Sequence, residues 1–279
     1  MTIKPLMERV EERVREWAIV AEDTVETESS FIVFGRQGNL PVVLKVLRQP
    51  GDEWLSGKVL ESFDAKGTVR VYEHVAGALL LERLEPGTPL STLSLNGLDA
   101  EATEILAEVI RQMSSHKSSM EFVTVEDWGK GFEGYLASGD NQIPADLVQQ
   151  GQQIYMALCA SQKGARLLHG DLHHYNILFD SARGWVTIDP KGVIGEVEYE
   201  IGAALRNPYE RPELFVSPKT VERRIRCLED KLKLDAHRAL LWGFSQAVLS
   251  AIWGVEDGFK VDESNPALML ANAVRQLIE

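Results

Sequence analysis

The chain is short of cysteine, of long apolar runs and of positive charge. Only Cys159 and Cys227 occur among 279 residues. Two cysteines make no disulfide framework, which excludes the stapled secreted scaffolds and fits a reducing compartment. No run approaches the ~20 apolar residues that a membrane helix needs. The N-terminal stretch MTIKPLMERVEERVREW alternates charged with apolar residues and lacks the apolar centre of a signal peptide. A cytoplasmic protein is expected. Lys and Arg number 29 against 42 Asp and Glu, a net charge of −13. So acidic a chain repels phosphate backbones, which makes nucleic acid a poor partner, and it attracts cationic small molecules. Internal repeats and low-complexity tracts are also missing.

What is present is enough apolar material, 44% of residues, for one large or two modest cores. Leu6, Val10, Val14 and Trp17 recur at helical spacing near the start. Residues 31–34 (FIVF) and 41–47 (PVVLKVL), joined by Arg36-Gln37-Gly38-Asn39, predict an antiparallel hairpin. Residues 52–63 read as a helix and 69–84 as two further strands with Gly77 near their turn. The segment Glu85-Pro86-Gly87-Thr88-Pro89 then punctuates the chain. Beyond it the periodicity is helical: 99–113 with Asp99 as a cap, 145–162, 219–253 as a pair, and 266–278. A β-like insert covers 167–194. The expectation is an α+β protein of two lobes, a small antiparallel-β lobe over 1–84 and a larger, mainly helical lobe over 85–279.

The chemistry concentrates in LLHGDLHHYNILFDSARGWVTIDPKG, residues 167–192. His169, Asp171 and Asn176 share a short polar loop that leads into the apolar run Ile177-Leu178-Phe179. A turn at 180–184 and the run WVTID end on Asp189. Asp171 and Asn176 are five apart (176 − 171), and Asp189 lies thirteen further on (189 − 176). Phosphoryl transfer asks for a carboxylate that orients a hydroxyl, hard oxygen ligands for Mg²⁺ and a cation on the nucleotide phosphates. Asp171 suits the first role, Asn176 and Asp189 the second, and Lys45 in VVLKV the third. A lysine facing the interior of a strand calls for a carboxylate; Glu53 is the natural partner and Glu61 the competing one.

These residues carry a resemblance. HGDLHHYN followed by IDP resembles the catalytic and metal loops of the aminoglycoside phosphotransferase branch of the kinase fold, at the spacing of H-R-D-x-x-x-x-N and D-F-G in protein kinases. With GWVTIDPKGVIGE, the Asn-Pro at 207–208 and SAIW at 250–253, the sequence is similar to the streptomycin 6-kinase (aminoglycoside/hydroxyurea phosphotransferase) family over nearly its whole length. The resemblance implies a two-lobe protein-kinase-like fold that uses ATP and Mg²⁺. Asp171 is then the base, and Asn176 and Asp189 hold the metal. Lys45 and Glu53 form the phosphate-contacting ion pair. Backbone around Glu82 to Leu84 meets the adenine, and the turn Thr27-Glu28-Ser29-Ser30 covers the phosphates, with Ser29 and Ser30 in the cradle. Departures from protein kinases are the missing G-x-G-x-x-G loop, glycine in place of the arginine before Asp171, Asp-Pro-Lys-Gly in place of D-F-G, and no A-P-E motif. A small acceptor such as streptomycin is therefore more natural than a protein. For a cationic acceptor, Glu196 ranks first among nearby acids, with Glu256 and Asp257 behind it and Glu198 and Glu200 adjacent. Other readings remain: a kinase of hydroxyurea or another small alcohol, a metal-dependent hydrolase using His169, Asp171, His173 and His174, or a non-catalytic nucleotide-binding module.

Overall fold

The structure is a computed structural model, and it describes residues 3–113 and 122–279. The chain forms two compact units, Met1–Thr88 with Leu178–Lys191, and Pro89–Ile177 with Gly192–Glu279. The sequence reading placed one break after residue 84. The chain instead changes unit three times, because the segment that ends on Asp189 is held by the first unit.

In the first unit, a helix Leu6–Glu16 precedes strands β1 (Ile19–Glu26), β2 (Ser30–Gln37) and β3 (Leu40–Leu47). A 3₁₀ turn Asp52–Leu55, a helix Ser56–Phe63, β4 (Val71–Val75) and β5 (Ala78–Glu82) follow. The five strands form one antiparallel sheet in the order β1-β2-β3-β5-β4. Strand alternation sorts β3. Val42, Leu44 and Val46 face a core that includes Val10, Trp17, Ile19, Val33 and Leu80. Each buried side chain of this size contributes about 1.5–3 kcal/mol. Lys45 is out of phase with that set, and Val43 joins the second cluster of Leu60, Val69, Leu79, Leu81 and Val186. Strand β1 escaped the sequence reading because only Ile19 of its eight residues is buried; the rest is an exposed, acidic edge. Next along the chain is β6 (Pro86–Pro89), which pairs with the later β8 (Ile177–Asp180); β8 in turn pairs with β9 (Gly184–Thr187).

The second unit is mainly helical. Helices Asp99–Met113, Ala145–Ala160, Pro218–Leu232, Ala236–Glu256 and Pro266–Ile278 carry most of it. Ser217, Asp235 and Asn265 each cap the helix that follows, accepting from the backbone N–H of Thr220, Arg238 and Ala267. Helix Ala236–Glu256 buries Trp242, Phe244, Val248, Leu249 and Ile252, and the Trp242 ring lies edge-on to Tyr155 at 5.1 Å and to Tyr199 at 5.0 Å. Asp99 does not act as the expected cap. Its carboxylate takes the buried Arg224, at 2.6 Å from Nη2 and 3.1 Å from Nε, together with Arg223. Two short strands, β7 (Arg166–Leu168), before β8, and β10 (Val193–Gly195), after β9, pair antiparallel. Among the described residues no helix is long and apolar enough to cross a membrane.

Candidate active site

The first unit holds a cavity of about 550 Å³ lined by Ile32, Val43, Val69, Leu81, Leu178 and Ile188 on its apolar sides and by the backbone run from Glu82 to Gly87. A largely apolar cavity beside a stretch of chain that carries N–H and C=O groups suits a heteroaromatic ring. That stretch is fixed by Asp180, a residue the sequence reading passed over. Its carboxylate accepts from the Glu85 N–H and, across the turn after β8, from the N–H groups of Ala182 and Arg183, each at 2.9 Å. Burial acts against ionisation there, but these donors outweigh it and keep the Asp180 carboxyl below its ordinary value. An aspartate heading a turn is the signal that could have found it.

Lys45 and Asp189 line the same cavity. Lys45 Nζ lies 2.8 Å from Glu53 Oε2 and 2.8 Å from Asp189 Oδ1. Burial pulls the ammonium down, but the two carboxylates more than offset it, so its pKa is raised and it is fully charged. Glu53 comes from the 3₁₀ turn rather than from the helix proper. Glu61 is engaged by His74 Nε2 at 3.1 Å instead. Asp189 sits at φ +57°, a left-handed conformation that aspartate tolerates better than most non-glycine residues.

The Glu82 carboxylate pairs with Arg183 and accepts the Arg70 N–H at 2.9 Å, which leaves the expectation for its backbone untouched. The expectations for the two serines change. Ser30 is buried and its hydroxyl meets Thr27 Oγ1 at 2.9 Å within the turn. Ser29 is exposed, with its carbonyl taken by the Arg48 N–H. Neither serine lines the cavity. The Ser30 hydroxyl stabilises a tight turn, as Ser and Thr commonly do.

In the second unit, the loop 169–176 is closed upon itself. The buried Glu200 carboxylate accepts the N–H of His169 at 2.6 Å and of Gly170 at 3.0 Å. His169 Nδ1 accepts the Asp171 N–H at 3.3 Å, and its carbonyl accepts the Gly192 N–H at 3.0 Å. Asn176 Nδ2 donates to the Asp171 carbonyl at 3.0 Å, which turns the amide oxygen of Asn176 the other way. Gly170 explains the missing arginine: its φ is +84° and a Cβ would come within 2.8 Å of the Trp128 ring. Burial pushes the Glu200 carboxyl up to about 7, partly opposed by the two backbone donors.

The Asp171 carboxylate opens on a second cavity, about 300 Å³, with His173, Arg206, Asn207, Tyr209, Ser250 and Asn265 around it. Arg206 Nη2 stands 3.5 Å from Asp171 Oδ1, and His173 Nε2 stands 3.8 Å from Oδ2. Arg206 was invisible in the sequence; a lone arginine before Asn-Pro carries no signal of its own. Arg224 pins the backbone there, donating to the carbonyls of Ala204, Leu205 and Asn207 at 3.0, 3.4 and 2.8 Å.

Of the acids proposed for a cationic acceptor, Glu196 is withdrawn. It is 1% exposed and its carboxylate is consumed by Arg238, Trp242 Nε1 and the Lys163 N–H. Glu256 and Asp257 are exposed at the end of helix Ala236–Glu256 and do not line the Asp171 cavity. Burial and the neighbouring Asp257 raise the Glu256 carboxyl. The hydrolase reading also loses its ligands. Among the described residues no three His, Cys, Asp or Glu side chains are placed to hold a metal ion. His174 is fully buried with neither ring nitrogen hydrogen-bonded, and burial followed by Arg224 repulsion keeps it neutral. Mg²⁺ is a different case, because hard oxygens suffice for it. The Asn176 amide oxygen and the half-exposed Asp189 carboxylate are donors of that kind.

Known proteins share this chain's sequence pattern and its fold. The chain is 31% identical over 249 residues to a streptomycin 3''-kinase of Klebsiella pneumoniae, covering 87% of this chain and 91% of that one. It is 31% identical over 242 residues to a hydroxyurea phosphotransferase of Kitasatospora aureofaciens, covering 79% and 68%. The crystal structure of the aminoglycoside phosphotransferase APH(4)-Ia with ADP and hygromycin B shares its fold, with a TM-score of 0.68 at 16% identity over 96% of this chain and 97% of that one. The family model for aminoglycoside/hydroxyurea antibiotic resistance kinases matches residues 16–258. With the two-lobe fold and the polar loop of Asp171 already in place, the chain belongs to the aminoglycoside/hydroxyurea antibiotic resistance kinase family.

Proposed function

We propose that the protein transfers the γ-phosphoryl group of ATP, with Mg²⁺, to a hydroxyl of streptomycin or a related aminoglycoside. The observation that carries the reading is the buried Lys45 held between Glu53 and Asp189, 2.8 Å from each. A strand lysine has no structural need of two carboxylates, whereas a nucleotide site needs a fixed cation. The first unit then binds the nucleotide, with the adenine in the apolar cavity beside the backbone of residues 82–87 and Lys45 at the phosphates. The second unit supplies the acceptor side. Asp171 orients the acceptor hydroxyl and takes its proton as the new O–P bond forms and the bond to the ADP oxygen breaks. Glu200 holds the loop that aims Asp171. Asn176 and Asp189 would hold Mg²⁺, which would supply positive charge to offset that of the phosphates.

The streptomycin kinase among the relatives supports the acceptor, and the charge of −13 favours a cation. The hydroxyurea phosphotransferase at equal identity supports a second reading, the same chemistry on hydroxyurea. A cytoplasmic setting is supported by Cys159 and Cys227, both unpaired thiols. The test is ATP consumption with Mg²⁺ over streptomycin, other aminoglycosides and hydroxyurea, for wild type beside Asp171→Ala. Streptomycin-dependent turnover lost in the variant is the expected result. Turnover on hydroxyurea alone replaces the acceptor, and failure to bind ATP overturns the kinase reading.

A further inference from the structure

Among the described residues, Asp171 is the single acid lining the cavity onto which it opens, and Arg206 lies 3.5 Å away with the opposite charge. The lining side chains of Asn207, Ser250 and Asn265 are uncharged. A cationic acceptor entering here is therefore met by a neutralised pair, and Glu196, Glu256 and Asp257 are elsewhere or occupied.

What the wall does offer is an aromatic face. Tyr209 is 60% exposed, yet it belongs to the cavity lining. Its ring stacks on Tyr175 at 4.8 Å and 32°, and Tyr175 stands edge-on to His173 at 5.8 Å. The backbone leading to it is tied down. Arg224 donates to three carbonyls between residues 204 and 207, and Asn207 Nδ2 donates to the Ala203 carbonyl at 2.8 Å. An exposed ring, backed by a second ring and carried on a pinned segment, is ready to receive a planar cation at little ordering cost.

We propose that Tyr209 is the subsite for a guanidinium group of the acceptor, which it binds by cation–π stacking, and that Tyr175 supports it from behind. Recognition of the charged acceptor then depends on an aromatic face and not on carboxylates. The proposal rests on the reading of the acceptor as a streptomycin-like aminoglycoside, since streptomycin carries guanidinium groups. Glu210, the next residue in the chain after Tyr209, is an exposed acid; its neighbour Arg211 pairs with Glu213 at 2.5 Å. Glu210 is thus the rival receptor for the same cation and has to be tested beside Tyr209.

Streptomycin binding measured by calorimetry, with turnover in parallel, separates the possibilities for wild type, Tyr209→Phe, Tyr209→Leu and Glu210→Gln. Thermal melting checks each fold. A cation–π contact predicts roughly 2- to 30-fold weaker binding in Tyr209→Leu. Tyr209→Phe should stay within about twofold of wild type, because the face is kept. Glu210→Gln should change little. Unchanged affinity in Tyr209→Leu overturns the proposal, as does an equal loss in Tyr209→Phe, which would point to the hydroxyl, or a dominant loss in Glu210→Gln. Tyr209-dependent binding without turnover supports the subsite while overturning streptomycin as the substrate. Turnover on streptomycin indifferent to Tyr209 does the reverse. No streptomycin binding by wild type overturns both.

Discussion

Lys45 Nζ and Asp189 Oδ1 are 2.8 Å apart although 144 positions separate them in the chain (189 − 45). The contact exists because β8 and β9 pair within the first unit and because Asp189 takes a left-handed turn immediately afterwards. Lys45 meets two carboxylates, so the trio carries one negative charge. Removing the ammonium leaves both acids facing the place proposed for the nucleotide phosphates. Lys45→Met is expected to lower kcat/KM for ATP by about 10²- to 10³-fold. Glu53→Gln should cost less, because Asp189 still positions the lysine. Steady-state kinetics on both variants checks the order; a milder effect for Lys45→Met than for Glu53→Gln contradicts it.

Arg206 stands beside Asp171, the carboxylate proposed to orient the acceptor. Burial pulls its guanidinium below its usual value, with Asp171 opposing. Arg206→Met removes that contact and weakens the hold on the Asp171 carboxylate. Displacing a reacting group by about 1 Å costs on the order of 10²-fold. A loss of that order in kcat, with ATP affinity retained, is expected. Arg206→Lys should recover part of it. A loss confined to the ATP KM would show that Arg206 acts elsewhere.

How far the sequence carried these assignments follows from the range of each interaction. Strand alternation and helical period are local, so β2 to β5 and the helices at 99–113 and 266–278 fell close to their predicted bounds. The loop of Asp171 and Asn176 was legible because its residues sit within a few positions and its polarity contrasts with the apolar run behind it. Pairing Lys45 with Glu53 rather than Glu61 was also readable. Other features depend on contacts between distant segments. Strand β1 shows almost no apolar alternation because every residue after Ile19 is exposed, whichever face it is on. Asp99 looked like a cap and instead receives two arginines from a helix more than 100 residues away. Glu196 looked like an exposed acid in a charged run, and only the fold shows Arg238 and Trp242 closing over it. Arg206 and Tyr209 flank an Asn-Pro pair whose importance lies wholly in what surrounds it.

Glu196→Gln separates the two roles considered for that residue. Its charge is matched by Arg238 inside the second unit. Cutting one partner of a buried charge pair strands the other, at about 3–5 kcal/mol. Thermal melting should therefore register a large drop, and the streptomycin KM of the protein that remains folded should be near wild type. A raised KM with an unchanged melting temperature would restore Glu196 to the acceptor site.

Asp99 and Arg224 set up a related case with a pH signature. Burial disfavours the Asp99 carboxylate, but Arg224 and then Arg223 hold its pKa far below the ordinary value. A depressed carboxyl lends stability that is present above its unfolded value, near 3.8, and is lost as acid protonates it in the folded state. Asp99→Ala should destabilise by about 3–5 kcal/mol near neutrality. Arg224 would also lose its brace while holding the backbone before Tyr209. Urea unfolding at pH 7 and pH 3 checks both magnitude and sign: the gap to wild type should persist at pH 7 and begin to close only in strong acid.

Glu200 moves in the opposite sense. Its carboxyl is pushed up from 4.5 to about 7 by burial, so between those values the folded protein holds a proton that the unfolded chain has released. Stability from this group is complete below pH 4.5 and declines as pH rises through 7, by on the order of 3 kcal/mol in all. Glu200→Gln cannot titrate, and its amide NH₂ replaces one of the two oxygens that accept from His169 and Gly170. The variant should be less stable than wild type at pH 4.5, and the difference should shrink steadily toward pH 8. Denaturant unfolding at half-unit pH steps measures that difference directly. A gap that widens with pH would mean that the carboxylate is ionised in the folded protein and that its two backbone bonds outweigh the cost of burying the charge.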